Sequence, residues 1–341
     1  MTLSRLSLWV SGLIALIVSV VMLRNAWIVD DAYITFRTVD NFVNGYGLTW
    51  NPDERVQSYT HPLWMFTVTL VYLFTHELFF SVIIVSFVIS MLAFVVLWRS
   101  GSRTWWSSLW LGSALLASKA ILDYTSSGLE NPLSYLFVVV FVALFHTTMN
   151  TSVPTAIQLG GLYVIAALSF FNRNDTIVLY IPALLWATYH ARSLGIGAIV
   201  RTIIIATLPA SGWLVFSIIY YGYPLPNTAY AKALATDIPL DWQLRRGWDY
   251  LSNSWQWDTL SWLIFGGTLG YTLWRKAWRE LAIMAGAVAY LGLIFWSGAA
   301  ATHMSGRFFA LPLLVGIIVA FRQIQHKHIA IIGATICLGY S

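Results

Sequence analysis

Residues 29–64 read VDDAYITFRTVDNFVNGYGLTWNPDERVQSYTHPLW, a polar stretch that begins where the first long apolar run, 6–28, ends. Asp30 and Asp31 therefore stand where a membrane-spanning helix should surface. Two adjacent carboxylates at such a boundary are expensive to place without a partner or a chemical task. The first run is too long for the core of a signal peptide and has no small-residue cleavage site, so it should remain as a span.

Composition agrees with a chain that lives in lipid. Of its 341 residues 58% are apolar and 10% charged, against about 25% charged in soluble domains. The fold class is all-α, a polytopic membrane protein. One cysteine, Cys337, forbids an internal disulfide and a thiolate metal cluster. The net charge of +5 is spread over short loops and gives no footprint for nucleic acid. The 18 tryptophans and 17 tyrosines suit interfacial belts, and some could stack on sugars or pack a prenyl chain.

Apolar runs continue at 79–98, 105–122, 132–148, 155–171, 176–190, 200–221, 259–274, 281–297, 308–321 and 329–340, which predicts about 11 spans. The segment 62–75 has only about two-thirds of the ~20 residues a span needs. Placed flat on the outer interface, it leaves the loops sorted by charge. One side then receives Arg5, Arg99, Arg103, Arg192, Arg201, Arg275, Lys276, Arg279, Arg322 and Lys327, with Glu280 as its only acid. Basic loops mark the cytoplasm. The outward loops are 29–61, 123–131, 172–175, 222–258 and 298–307, in an inner (plasma) membrane protein whose site faces the periplasm. Neither a phosphate-binding G-x-x-x-x-G-K-[ST] loop nor a G-x-G-x-x-G is present, so a cytoplasmic nucleotide sugar is not the expected donor. No internal repeat supports a transporter of duplicated halves. The last apolar run ends at Tyr340-Ser341 without a basic flank, so a C-terminal portion is expected beyond it.

The outward loops carry the chemistry. Asp30 or Asp31 suits a general base, because a carboxylate within hydrogen-bond reach can take the proton of an attacking hydroxyl. The bland alternative is a solvated helix-end pair. Arg37 is a counter-ion for either acid or a substrate contact. Tyr59 and His61 precede Pro62, which sits at a permitted first-turn position of the interfacial helix. His61 is either a hydrogen-bonding wall of a site or an interface residue. Glu130 precedes a span, where the helix dipole favours an acid, and capping competes there with acceptor or metal binding. Arg173 either pairs with Asp175 or binds phosphate through its planar fork. Lys232, beyond the turn that holds Asn227, either binds phosphate or snorkels. Arg307, after His303, is the third outward cation. Three such cations would stabilise a leaving lipid phosphate. Asp30, Asp31, Glu130 and His303 could meet around one divalent ion; no organic cofactor is expected.

The blocks DDAYITFR, NGYGLTWNPDERVQSYTHPLW, SSGLENPL, Arg173-x-Asp175, YGYPLPNTAYAK and HMSGRFF, in that order, resemble the GT-C glycosyltransferases that use polyprenyl-phosphate sugars. The likeness covers nearly the whole chain and is nearest to the arabinofuranosyltransferases that add terminal arabinose in mycobacterial cell walls. The first block is specific as a whole; each later block alone is weak. The resemblance implies a GT-C catalytic domain over 1–341, with interfacial helices in the outer loop 29–78 and a second long outer loop at 222–258. It implies an inverting transfer at the outer face, with the base at Asp30 or Asp31. The donor would be a polyprenyl-phosphate arabinofuranose, and the acceptor a cell-envelope glycan or protein. The chain departs from the family's Arg-Pro-Asp at Asn174, which leaves the cation and the acid in place without the proline. A lipid-linked sugar flippase and a glycolipid receptor without turnover are the rival readings.

Overall fold

In the computed structural model, residues 5–101, 104–232, 239–298, 306–324 and 326–340 are described. Among them the chain is helical throughout, without strands. Five helices are long and apolar enough to cross a membrane by themselves: α1 (Arg5–Arg24), α4 (Phe79–Ser100), α7 (Asn131–Met149), α10 (Ile196–Tyr221) and α14 (Trp278–Ser297). The remaining predicted runs are also helical but shorter. The run 105–122 is split into α5 (Trp105–Ala117) and α6 (Lys119–Asp123) by Ser118, whose backbone is extended. The others form α8 (Ala156–Asn172), α9 (Ile177–His190), α13 (Thr259–Trp274), α15 (Ala310–Gln323) and α16 (Lys327–Tyr340). The protein is thus a multi-pass helical membrane protein in which five of the expected spans stand on length and composition.

Local sequence explains where these helices begin. Thr104 with Ser107, and Thr155 with Gln158, form capping boxes that satisfy the first free amides of α5 and α8. Pro132 stands in the first turn of α7, where no donor is needed. The chain enters α10 through Gly195, whose positive φ of 82° glycine adopts freely, and leaves it through a left-handed Gly222.

The interior is built around α7 and α15, whose surfaces are buried almost all round. Outer helices instead expose apolar side chains, such as Trp9 and Leu16 on α1 and Ile205 and Ile219 on α10, as a lipid-facing surface requires. Small residues allow close approach within the bundle. A Cβ at Gly286 of α14 would collide with the Leu179 carbonyl oxygen of α9.

The first long loop, 29–78, holds two helices, α2 (Asp30–Val43) and α3 (Pro62–Thr75). At about 21 Å, α3 is shorter than the ~30 Å hydrocarbon layer. Its partner α2 is amphipathic and buries Ala32, Phe36 and Val39 in a small core with Trp64, Met65 and Val68 of α3. Two bonds fix α3 and the start of α2 to the turn before α7. Trp64 Nε1 donates to Gly128 O at 2.8 Å, and the Val29 amide donates to Ser127 O at 3.0 Å. The second long loop, 222–258, carries α11 (Asn227–Lys232) and the amphipathic α12 (Leu240–Trp257).

Candidate active site

The turn preceding α7 delivers Glu130 to the point where His61, Arg173 and Arg307 converge. Glu130 is fully buried. Arg307 Nη2 donates to both of its oxygens, at 3.0 and 2.9 Å, and Arg173 Nη1 to Oε1 at 3.2 Å. His61 Nδ1 approaches Oε2 at 3.1 Å. Burial alone would push this carboxyl up, but the charge of Arg307, the hydrogen bond from His61 and the charge of Arg173 overcome it and hold the pKa well below the usual range. Capping is therefore not Glu130's role: its side chain bonds none of the free amides of α7 and serves instead as the anion on which two guanidiniums converge.

Arg173 ends α8 in an extended conformation, and the Asn174–Thr176 turn that follows returns Asp175 towards it. Its Nη2 donates to Asp175 Oδ2 at 2.8 Å and to Tyr290 Oη at 2.9 Å, and Tyr290 donates to the same carboxylate at 3.0 Å. Phe308 covers the guanidinium at 4.3 Å. The asparagine in place of proline leaves the cation and acid paired. Burial opposes the charge of Arg173, yet the neighbouring Asp175 raises its pKa further. With these partners the Arg173 guanidinium is a structural tie rather than the open phosphate ligand expected of it. Arg307 is less committed: its Nε is buried without a hydrogen-bond partner, and Nη1 lies 3.9 Å from Asp31 Oδ2.

The two candidate bases are separated by this geometry. Asp31 has a side chain 45% exposed, so it meets solvent on one side and Arg307 on the other. Asp30 is exposed and its Oδ1 accepts the Asp31 amide at 2.9 Å, a bond within the first turn of its own helix. Glu130 leaves no vacant oxygen for a divalent ion, and among the described residues no three His, Cys, Asp or Glu side chains converge. His303 lies outside the described residues, as does the Lys232 side chain.

Three other expected site residues lie elsewhere. Arg37 is exposed, donates from Nε to Trp50 O at 3.3 Å and stacks over the Trp50 ring, so it fastens the loop and is no counter-ion for Asp30 or Asp31. Tyr59 bonds Tyr221 Oη at 2.9 Å, and Tyr221 in turn donates to Leu48 O. That places Tyr59 in the apolar seam between the first loop and α10, where burial raises its phenol pKa. Asn227 is exposed and contributes its backbone amide to Gln57 O at 3.2 Å. The sequence reading overlooked Tyr290 and Thr35. Tyr290 is a lone hydroxyl within an apolar run, and Thr35 lies one turn beyond Asp31.

At the far end of α2, about 16 Å from Asp31 by helical rise, lies an apolar groove of ≈ 520 Å³. Phe42, Leu48 and Phe66 of the first loop form one wall and Trp213, Phe216 and Pro209 of α10 the other.

These features find a match among known proteins. The fold aligns with the crystal structure of ArnT from Cupriavidus metallidurans bound to undecaprenyl phosphate. The TM-score is 0.59 at 14% identity, over 91% of this chain and 59% of that one. The chain has a GT-C fold. Its sequence is similar to two terminal β-(1→2)-arabinofuranosyltransferases. One, from Mycobacterium tuberculosis, is 28% identical over 272 residues (73% of this chain, 41% of the relative). The other, from Corynebacterium glutamicum, is 27% identical over 308 residues (76% and 40%). The chain spans about two-fifths of the length of the curated relatives it matches. No protein-family profile matches it.

Proposed function

We propose that the protein is an integral-membrane inverting glycosyltransferase. It moves a sugar, arabinofuranose by the likeness to its relatives, from a polyprenyl-phosphate donor to a cell-envelope glycan or protein at the outer face. The observation that carries this reading is Asp31, half exposed and facing Arg307 across 3.9 Å beside a buried acid–arginine cluster.

In this reading Asp31 accepts the proton of the acceptor hydroxyl as its oxygen attacks the anomeric carbon. The bond from that carbon to the phosphate oxygen breaks on the opposite face, and the electron pair leaves with the lipid phosphate. Arg307, with donors still open, and Lys232 hold that phosphate. Glu130 and Arg173 fix Arg307 in place, because a buried guanidinium needs its partners satisfied. The apolar groove beside α10 suits a prenyl chain, which needs surface and few polar contacts. No step is routed through a divalent ion.

Transfer of radiolabelled arabinofuranose from a synthetic prenyl-phosphate donor, in detergent, tests the proposal. Chelator should leave the rate unchanged; a chelator-sensitive rate would place an ion at Asp30 and Asp31. Lipid translocation without any new glycosidic bond would replace the enzyme with a flippase.

A further inference from the structure

His61 joins two parts of the site that the proposed reaction treats separately. Its Nδ1 faces Glu130 Oε2 at 3.1 Å, and its Nε2 lies 2.7 Å from Thr35 Oγ1. Thr35 stands one turn beyond Asp31 on α2, so the two share a face of the helix. Asp31 faces Arg307, and Arg307 returns to Glu130. Four side-chain contacts and one turn of α2 thus close a ring through Glu130, His61, Thr35, Asp31 and Arg307.

Hydrogen-bonding capacity orients the ring. An ionised carboxylate only accepts, so Nδ1 carries a hydrogen; in the neutral ring Nε2 is then an acceptor and the Thr35 hydroxyl donates to it. Both nitrogens are used and both partners are buried. The backbone of His61 is held as well, since its carbonyl accepts the Met65 amide at 3.0 Å in the first turn of α3. A fixed ring with two committed nitrogens has no edge left for substrate, but it can set the azimuth of α2.

We propose that His61 is a positioning residue that ties the buried Glu130–arginine cluster to Thr35 and thereby keeps Asp31 opposite Arg307. The inference rests on the proposed glycosyl transfer. Its physical content is specific: Asp31 lies in the first turn of an exposed amphipathic helix, and Thr35 is its nearest buried polar anchor on the same face. Without that anchor the polar ties left to α2 lie towards its ends, the Val29 amide to Ser127 O at 3.0 Å before its first turn and Tyr72 Oη to Asp40 Oδ1 at 2.8 Å in its last. Between them it is held by apolar contacts, which resist separation but tolerate small rotations. A misplacement of about 1 Å at a reacting group lowers a rate by about 100-fold.

The test uses the full chain in detergent. Thr35→Val removes the hydroxyl and keeps the shape, whereas Thr35→Ser keeps the hydroxyl. His61→Asn keeps an N–H near the Nδ1 position and removes the Nε2 acceptor. Thr35→Val and His61→Asn should each lower kcat by about 10- to 100-fold, with the donor KM within about twofold of the parent. Thr35→Ser should restore the rate. The double variant should be no slower than either single one, because both delete the same bond. A parental kcat in Thr35→Val, a loss carried by KM, or multiplied effects in the double variant would overturn the proposal. Thermal unfolding of the same set reads the Thr35–His61 link without substrate. Additive Tm shifts would remove the link. Non-additive shifts in a protein that transfers no sugar would retain the link and place the failure on the glycosyltransferase reading.

Discussion

Asp31 and Asp30 are neighbours in sequence with different surroundings, and that difference is open to measurement. Asp31 faces a guanidinium, whereas Asp30 folds back onto the amide of its own helix. Asp31→Asn should reduce kcat by about 10²–10⁴-fold, the range of a lost general base. Asp30→Asn should stay within about tenfold of the parent, because only a first-turn bond is weakened. Equal losses in both variants would reject the assignment to Asp31. Glu130 supplies a second residue-scale prediction, on stability. Its carboxyl is held below the ordinary value of about 4.3. A depressed folded pKa contributes stability that is present above the unfolded value and is lost as pH falls through the folded one. The melting temperature should therefore decline below about pH 4.3, and Glu130→Gln should flatten that decline. Glu130→Ala, which leaves two buried guanidiniums without their anion, should cost about 3–5 kcal/mol. Glu130 itself was visible in the sequence as an acid before a span. Its role was not, because Arg173 and Arg307 come from turns far apart in the chain, and no spacing rule predicts that they share one carboxylate.

Among the elements, α14 reaches the site through its packing. Gly286 lies against the Leu179 carbonyl of α9, and Tyr290, one turn further on the same face, bonds Arg173 and Asp175. Gly286→Leu should push the two helices apart, withdraw the Tyr290 hydroxyl and raise the donor KM, with a lower melting temperature in detergent. Tyr290→Phe should raise KM without the thermal loss, since it removes the hydroxyl and keeps the packing. A Gly286→Leu protein with parental KM would show that this interface does not support the arginine. Helix existence was legible for the apolar runs, because they are local signals; the polar, amphipathic α12 was not, since it lies within the 222–258 stretch read as a loop. The break at Ser118 was not, since α5 and α6 form one unbroken apolar run in sequence. A distant acid makes the break: Asp258 accepts the Ser118 hydroxyl at 2.9 Å and the Ala120 amide at 3.0 Å, satisfying the start of α6.

At the scale of the whole molecule, the charge sorting of loops and the position of the site make one joint claim. Asp31, Glu130, Arg173 and Arg307 lie at the ends of apolar helices that are separate in sequence, and the structure brings these ends together. Basic connectors such as Arg275–Lys276 belong to the opposite set of helix ends, so the two groups should face opposite compartments. The single cysteine makes this directly measurable. Cys337 is buried, so the parent should react poorly with a membrane-impermeant maleimide. A cysteine placed at Asp53, in the exposed turn of the first loop, should label in intact cells. One placed at Lys276 should label only after the membrane is opened. Reversed labelling would put the carboxylates on the cytoplasmic side, where a lipid-linked donor presented outside cannot reach them. Labelling of both positions in intact cells would mean that the two loops share a side, and the parity that lays α3 along the interface would fail with it.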